Sequence, residues 1–564
     1  MGDKFLFWSD LWVGDTTLAT SFLELYFVCK RSESQAGHLP TFFYFRDCKK
    51  VEKMEGSGFL KKHCLKDTST NSFDSCDYLS VLPDPLLLHI LSFLPMKDVI
   101  KSSFLSRRWR SLWMYVPTID FTSWWEPEVS KSVDRFLAYY KSKKIQKFCV
   151  SCSSKDVVTI DSWIHFTSRR DVEELYLDFS SRNDKDSSNE EVSGNEYDGR
   201  SDEDGSNEEV YGNGYHGLYK LPFSFFRSAS LRVLTLKCCA LNLPSSVSFA
   251  LLKTLCLYAL EITGNMFKIL TSGCPLLEDL TLRNCNSETD LDIFVANPHL
   301  KRLEINEYKI SGRIEIYAPS LLMIEFTRRM ERNDYSSVKK LPLLVSAKFD
   351  CNEMDDDIWE DEISTFSKWA ELLGYLHVKD LKLCSWFIQA LSINEVQDFT
   401  GPPIVATHLE LTTGLGKWEL PGLAYLLRNS SNLETLTLNV EESIQIDLQG
   451  TFGDDYDFDE QNYWKVESIP LQHLKMIRVN NFMGGYSHFR ILSEEKILSD
   501  ANKQLKFMKF LLRNSMILER MIIKISRETK IRELVDEAAL LFKVTKKLLA
   551  FPRASPIAKV LISY

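Results

Sequence analysis

Long apolar runs and targeting signals are both missing from this chain. No apolar stretch approaches the ~18 residues of a membrane-spanning helix, and the first residues lack the basic and then apolar layout of a secretory signal. The sequence therefore predicts a protein of the nucleus or the cytoplasm, without a membrane partner. In these reducing compartments the 13 cysteines are expected to stay free thiols. Cys149 and Cys152 form a C-x-x-C pair, but no second pair follows at zinc-site spacing, so we predict no metal.

The motifs of the common enzyme classes are missing as well. The chain has no glycine-rich phosphate loop, no G-x-S-x-G elbow and no H-E-x-x-H helix, and its 10 histidines do not cluster. A net charge of −10 argues against a broadly basic surface for nucleic acid. We therefore expect a non-catalytic protein with no cofactor and no nucleic-acid partner.

Most of the net negative charge of the chain lies in one segment. Residues 182–209 contain 11 acidic and 3 basic side chains, and residues 188–199 recur with few changes at 206–217. A polar, charged segment cannot bury enough apolar surface to offset the entropy lost on ordering. We predict that residues 181–217 are a disordered insertion, either a duplicated loop without function or an acidic docking segment.

A leucine pattern recurs after this insertion at a nearly constant interval. Its form is L-x-x-L-x-L, and the central leucines of its first copies are 21 to 25 residues apart, the period of leucine-rich repeats. Alternate leucines point to one side of a short strand, and stacked parallel strands would bury them. We predict an α/β solenoid with a parallel curved sheet and a helical or irregular return after each strand. The copies begin at Leu231, Leu252, Leu277, Leu300 and Leu321, more loosely at Val378, Leu433, Leu474 and Leu518, and before the insertion at Val172.

Residues 77–113 have a compact helical pattern instead. Asp84 suits a helix N-cap and Pro85 the first helical position, and the apolar stripe that follows is expected to end at Pro95. Two more short helices are predicted before Trp113. About 37 residues are too few to bury all of these apolar side chains alone, and surplus apolar surface predicts a protein partner.

This segment resembles the F-box of plant F-box proteins through Leu82-Pro83, Phe93-Leu94-Pro95 and Ser106-Arg107-Arg108-Trp109. Met96 departs from the family pattern, in which a threonine cap is more usual. The resemblance implies docking to the SKP-type adaptor of cullin–RING ubiquitin ligases and, through it, to the cullin and RING subunits. The adaptor-binding residues that it implies are Leu82, Pro83, Leu86, Ile90, Leu91, Leu94, Val99 and Trp109.

Both ends of the chain carry a further resemblance. Residues 471–523 are similar to the FBD region, a strand–helix–strand unit that closes the repeat array in one plant F-box subfamily. Residues 2–26 are similar to a segment of plant non-LTR retroelement polyproteins, so the N-terminal extension is interpreted as a captured or mis-annotated fragment; the alternative is a docking segment using Trp8 and Trp12. The predicted regions are an extension (1–76), the F-box (77–116), the start of the repeat domain (117–180), the insertion (181–217), the repeats (218–464) and an FBD-like region (465–564).

Three classes of function compete for this architecture. The resemblance favours a non-catalytic substrate receptor of an SCF-type ubiquitin ligase over an enzyme. The alternative that stays open is a scaffold that acts without a ligase, or the product of a non-functional chimeric gene. A protein substrate is expected on strand positions that point away from the leucines, with Tyr258 and Arg283 close together on adjacent strands. The substrate-binding candidates are Lys237, Tyr258, Arg283 and Glu304.

Overall fold

The computed structural model of the chain forms two compact units, Met1–Leu177 and Asp178–Tyr564. Within the parts of the chain that the structure describes, no helix is long and apolar enough to cross a bilayer. The predicted N-terminal extension and the acidic insertion lie outside these parts. The structure describes residues 82–124, 129–152, 157–180, 218–285, 293–307, 314–328, 337–338, 341–350, 373, 376–396, 403–441, 459–460, 462–484, 494–526 and 537–563.

The first unit opens with the helical module that the sequence predicts, with shifted boundaries. Asp84 is the first residue of its helix and not the cap, which is Pro83. The helix ends before Pro95 is reached, and the Ser92 hydroxyl donates a hydrogen bond of 2.6 Å to the carbonyl oxygen of His89 in its last turn. The predicted third helix is a 3₁₀ helix. The module consists of α1 (Asp84–Leu91), α2 (Met96–Lys101) and two 3₁₀ segments (Ser102–Phe104 and Trp109–Tyr115).

The rest of the first unit combines two helices with three strands. The apolar residues of α3 recur at helical spacing and are buried, and they end at Phe136 and Leu137. One predicted strand, that of the Val172 copy, is confirmed as β3, which neighbours β2 in the sheet order. β1 pairs in parallel with β2. The elements are β1 (Thr118–Asp120), α3 (Val129–Tyr139), β2 (Lys147–Ser151), α4 (Val157–Ser168) and β3 (Glu174–Asp178).

The second unit contains a long parallel sheet, which confirms the predicted fold class. Every copy of the leucine pattern that the sequence predicts after the insertion forms a strand of this sheet. The strands of the sheet lie side by side in the order in which they occur along the chain. The strands of this sheet are β4 (Val233–Lys237), β5 (Thr254–Tyr258), β6 (Asp279–Arg283), β8 (Arg302–Glu307), β10 (Met323–Arg328), β12 (Ser346–Asp350), β13 (Asp380–Leu383), β14 (His408–Thr413), β15 (Thr435–Val440), β16 (Met476–Phe482), β17 (Arg520–Ile525) and β18 (Lys559–Ser563).

The register of this sheet aligns the leucine positions across neighbouring strands. Leu234, Leu255 and Leu280 are direct partners and are 1% exposed each. The residues between them point to the opposite side of the sheet, which we call the outward face. One strand at a time could not bury its leucines, so the stack itself forms the core.

A left-handed turn follows each of the first three strands of the sheet. Cys238, Ala259 and Asn284 each have a φ between 51° and 52° and stand directly after β4, β5 and β6. Each of their backbone N–H groups donates to a carbonyl of the next strand, as from Ala259 to Arg283 at 2.8 Å. The residue that follows the left-handed one is fully buried in all three turns, which keeps successive repeats in the same register.

The returns between strands differ along the array. The predicted helical return is confirmed as α5, with the Thr263 hydroxyl accepting from the N–H of Met266 at 3.3 Å. Three consecutive returns contain short strands, which the sequence analysis did not predict, and these strands pair in the order β11-β9-β7. The elements of the returns are α5 (Gly264–Ser272), β7 (Ile293–Ala296), β9 (Ile314–Tyr317), β11 (Ser337–Val338), α6 (Ser385–Val396), α7 (Leu420–Asn429), α8 (Tyr463–Val466), α9 (Glu494–Asn514) and α10 (Glu537–Leu549).

Candidate functional site

The helical module separates its apolar residues into an interior set and a surface set. The interior set packs against the following helix, and the ring of Trp113 lies 5.3 Å from that of Phe136. Met96 is 1% exposed, so it contributes to this interior in place of a polar cap. The module therefore has a core of its own, formed by Leu87, Leu91, Leu94, Met96, Val99, Ile100, Trp109, Leu112 and Trp113.

The surface set forms an apolar stripe along α1 and just beyond it. Leu86 is 43% and Phe93 40% exposed, and Ile90 between them is half-buried. Positions 86, 90 and 93 follow the spacing of one helix face. Leu82 and Pro83 extend the stripe before the helix. We call Leu82, Pro83, Leu86, Ile90 and Phe93 the α1 stripe.

Arg108 holds the beginning of this stripe in place. Its Nε donates to Oδ1 of Asp84 at 2.8 Å, and its Nη2 donates to the carbonyl oxygen of Leu82 at 2.5 Å. One guanidinium thus ties the first turn of α1 to the segment before Trp109. A planar fork of donors suits this task better than a lysine ammonium would.

The eight predicted adaptor-binding residues fall into both sets. Leu82, Pro83, Leu86 and Ile90 lie in the α1 stripe and are accessible. The other four are buried at 1 to 7% exposure, so the structure places them under the surface, where they support it. Phe93, which the prediction omitted, is accessible. The four buried residues are Leu91, Leu94, Val99 and Trp109.

In the repeats, the four predicted substrate-binding residues lie close together. Tyr258 and Arg283 are direct partners on β5 and β6, as expected. The Lys237 ammonium lies 4.9 Å and the Arg283 guanidinium 5.8 Å from the centre of the Tyr258 ring, within the range of cation–π attraction. Burial raises the pKa of Tyr258. We call this group the Tyr258 cluster: Lys237, Tyr258, Arg283 and Glu304.

The cations of the Tyr258 cluster also have anionic partners. Arg283 forms an ion pair with Glu304, whose side chain is 5% exposed. Burial alone would lower the pKa of Arg283, but the neighbouring Glu304 carboxylate outweighs it and the pKa is raised. Lys237 Nζ lies 3.7 Å from Oδ2 of Asp178. Together with Asp178, Glu304 therefore neutralises the cations of the cluster.

The same self-neutralisation continues across the middle of the outward face. Lys348 pairs with Glu325 at 2.8 Å, and Lys382 pairs with Glu410 at 2.8 Å. Burial would raise the pKa of Glu410, but hydrogen bonds from Lys382 and Asn439 outweigh it and lower the pKa. A cavity of about 370 Å³ over β8–β14 is lined by both ion pairs, Lys348 with Glu325 and Lys382 with Glu410.

The sequence analysis did not single out this middle stretch. Its strands β12 and β14 start their repeats with Leu344-x-x-Ala347 and Ala406-x-x-Leu409, so alanine replaces one leucine in each. The signal that would find it is the alternation of Lys and Glu or Asp two residues apart, as in Lys348 and Asp350.

The described cysteines are free thiols. Burial raises the pKa of Cys149 to about 12, and Cys239 and Cys274 are raised to about 12 by burial too. Cys152, the partner of Cys149 in the C-x-x-C pair, is also buried. The thiols of Cys149, Cys239 and Cys274 therefore remain protonated at neutral pH. Among the residues that the structure describes, no group of three or more His, Cys, Asp or Glu side chains could hold a metal ion.

Comparison with known proteins assigns both units to known domain families. The family model of the F-box domain matches residues 79–119. A second family model, At1g61320/AtMIF1, LRR domain, matches residues 210–356. The helical module and the first half of the parallel sheet are thus the parts of the chain that these models match.

Relatives that cover about two thirds or more of this chain include three proteins of Arabidopsis thaliana. The putative F-box protein At1g49610 is 30% identical over 387 residues, which cover 67% of this chain and 86% of the relative. The F-box/LRR-repeat protein At3g03360 is 28% identical over 64% of this chain and 70% of its own length. The F-box/LRR-repeat protein At5g02910 is 24% identical over 80% of this chain and 89% of its own length. With a helical F-box followed by a parallel repeat sheet, the chain belongs to the plant F-box/LRR-repeat protein family.

Proposed function

We propose that this protein is the substrate-recognition subunit of an SCF-type cullin–RING ubiquitin ligase. Its F-box would bind a SKP-type adaptor, and its repeats would bind a protein substrate. The cullin and RING subunits would be reached through the adaptor. The protein would act without covalent chemistry of its own, in the nucleus or the cytoplasm.

The observation that carries this proposal is the α1 stripe. Single exposed apolar side chains are common, but a contiguous row of them beside a complete core is not. Here the core is formed by other residues, and Leu86 and Phe93 remain about two-fifths exposed beside it. An exposed apolar stripe on a rigid helical support is typical of a surface that a partner protein covers.

The proposed mechanism is proximity. Binding to the adaptor would fix the repeats near a ubiquitin-loaded conjugating enzyme, and binding of a substrate to the repeats would raise the effective concentration of its lysines. The strand–helix–strand succession β16, α9 and β17 supports an FBD assignment for the C-terminal region. That region would then close the repeat array.

The test is adaptor capture by the full chain. We expect the double change Leu86→Asp/Phe93→Asp to weaken binding of a co-expressed plant SKP-type adaptor by about a hundredfold or more, because each aspartate would have to be buried unpaired in the interface. Both side chains are exposed in the free chain, so the fold should persist. Binding is measured by co-purification and then by calorimetry.

Val158→Asp is the matched control, because Val158 is an 84% exposed apolar residue of the same unit outside the F-box. It should bind the adaptor like the unmodified chain. Undiminished binding by the double variant would refute the assignment of the stripe, and failure of the unmodified chain to bind any SKP-type adaptor would refute the ligase role and favour a scaffold.

A further inference from the structure

The outward face of the repeat sheet has two sectors of different electrostatic character. Over β4–β14, every cation at a described outward position has an anionic partner, as shown for the Tyr258 cluster and the middle of the face; Arg302, 4.0 Å from Glu304, completes the set. Hydrogen bonds carry this network on from Glu410 through Asn439 to Asn480 in β16, at 2.9 and 2.8 Å. Beyond Asn480 the pattern changes.

The last three strands present cations without such partners. Arg478 lies on β16, Arg520 and Lys524 on β17 and Lys559 on β18, and all four side chains are exposed. Within the described part of the chain, none of them forms an ion pair. Glu519 directly precedes Arg520 in the sequence, and among the described residues it pairs with none of these four cations. The nine outward positions of these strands, from 476 to 480, 520 to 524 and 559 to 563, contain no acidic residue.

These cations surround an apolar centre. The register places Ile522 beside Leu561 on one side and Arg478 on the other. Arg520 and Lys559 are partners one step before this row, and Lys524 stands one step after it. Leu561 is 49% exposed. We call these residues the C-terminal basic face: Arg478, Arg520, Ile522, Lys524, Lys559 and Leu561.

We propose that the C-terminal basic face binds an acidic protein segment with an apolar residue at its centre, flanked on both sides by Asp or Glu. Unpaired cations offer a partner its full electrostatic attraction, whereas a cation of the paired sector would first have to leave its own carboxylate. The apolar centre distinguishes such a segment from a polyanion, which has nothing to place on Ile522 and Leu561. This inference rests on the proposed receptor role and names the class of substrate.

The dimensions fit a short segment. Three neighbouring strands span about 10 Å and two residues along a strand about 7 Å. A side chain placed over Ile522 and Leu561 therefore has cations within one side-chain length before, after and beside it. A stretch of about ten residues is enough to use all four.

The probe is a fluorescein-labelled peptide of about twelve residues with a Leu-Phe-Leu centre and three acidic residues on each side, titrated against the full chain at about 0.1 M salt, where surface attraction is only partly screened. We expect saturable binding. The change Arg520→Glu/Lys559→Glu should weaken it at least about tenfold, since two attractions become repulsions. Leu561→Ser should weaken it about fivefold through lost apolar contact.

The matched control is Lys546→Glu/Lys547→Glu, an equal change of charge on exposed positions of α10 away from the sheet face. It should alter the affinity by no more than about twofold. Circular dichroism melting of each variant establishes that the fold is kept. A peptide with serine in place of Leu-Phe-Leu should bind about as weakly to the unmodified chain as the acidic–apolar peptide binds to Leu561→Ser.

Two results would overturn the inference. Equal affinity for polyglutamate, heparin and the acidic–apolar peptide would make the face a general polyanion site. Equal affinity of Arg520→Glu/Lys559→Glu and the unmodified chain would place the binding elsewhere. Adaptor capture is measured on the same samples: peptide binding without adaptor binding would sink the ligase role alone, and adaptor binding without peptide binding would sink this inference alone.

Discussion

The F-box and the repeat array handle apolar surface in opposite ways. In the F-box, a small core forms and several large apolar side chains remain outside it, on the α1 stripe. In the repeats, each strand turns its alternate leucines inward, where the neighbouring strands bury them, and the outward face of β4–β14 carries charges that pair with one another.

The difference indicates where each part is ready to bind. Where the charges of a surface already pair with one another, a partner must replace those ion pairs, and little binding free energy is gained. Covering an exposed leucine or pairing an unpaired arginine makes the free energy of binding more favourable. By this criterion the described residues include two surfaces that are ready to bind, the α1 stripe near the start of the described chain and the C-terminal basic face near its end. Together they suit a protein that connects two partners.

The largest effect is expected when an aspartate is placed at a buried position of the F-box and, for comparison, at an exposed one. Leu91→Asp should unfold the module, because Leu91 is 1% exposed and a carboxylate there would be buried unpaired at a cost of several kcal/mol. Leu86→Asp should leave it folded, because Leu86 is 43% exposed. Both variants should lose the adaptor. Tryptophan fluorescence and limited proteolysis of the uncomplexed chain distinguish loss of fold from loss of contact.

If Leu91→Asp kept the native fluorescence and protease resistance and lost only the adaptor, Leu91 would be a contact residue, as the sequence alone suggested. The interior and surface sets described above would then have to be redrawn.

Much of the repeat fold was predictable because each strand is marked by a short leucine pattern that can be recognised without knowledge of the rest of the chain. Leu234 and its counterparts obey a period of two within the strand and a period of roughly 21 to 25 residues between strands. Where alanine replaces a leucine, as at Ala347, the pattern weakens although the backbone still forms a strand, because a buried methyl group satisfies the same register. The strand-containing returns were missed because segments as short as Ile314–Tyr317 have no period to detect.

The site was predictable only in part, for a different reason. The sequence pattern of a helix stripe indicates which residues are apolar, but not which of two apolar faces a neighbouring helix covers. The helix α1 packs against the 3₁₀ segment Trp109–Tyr115. Leu87 and Leu91 are buried, whereas Leu86 and Ile90 remain accessible. Likewise, the placement of Tyr258 beside Arg283 follows from strand register, but the pairing of Arg283 with Glu304 depends on side-chain geometry.

A second prediction concerns Glu419, a fully buried carboxylate at a return of the array. Glu419 accepts hydrogen bonds from the backbone N–H groups of Gly414 at 3.3 Å and Gly416 at 2.6 Å. Glu419→Gln replaces one acceptor by a donor that faces a donor, so we expect a loss of about 1–3 kcal/mol in the free energy of unfolding. Urea denaturation followed by circular dichroism measures it. Glu434→Gln is the control, since Glu434 is exposed and should change the stability little.

The pH dependence of this variant has a definite sign. Burial raises the pKa of Glu419, and its hydrogen bonds only partly oppose this. The folded chain therefore holds this proton more tightly than the unfolded chain, and the stabilisation is complete below the unfolded pKa and is lost as the pH rises through the folded one. The stability advantage of the unmodified chain over Glu419→Gln should thus be larger near pH 4 than at pH 8. An advantage that grows with pH would contradict the assignment.

The smallest effect is expected from a charge network at the start of three neighbouring strands, where the charged side chains pair with one another. Glu278 accepts hydrogen bonds of 2.6 Å from both Lys253 and Lys301, and these bonds lower its pKa from 4.5 to about 2. Because both lysine side chains are exposed to solvent, Glu278→Gln should lower the melting temperature by only about 1 °C. A depressed pKa means that the contribution is present above pH 4.5 and is lost as the pH falls towards 2, so the melting curves of the two proteins should converge on acidification.

The control is Glu261→Gln, at a position in no ion pair within the described residues, and its melting curves should follow those of the unmodified chain at every pH. If Glu278→Gln lost as much stability as Glu419→Gln, paired surface charges would contribute strongly to the stability of the array. The contrast between the paired sector and the binding surfaces would then have no physical basis.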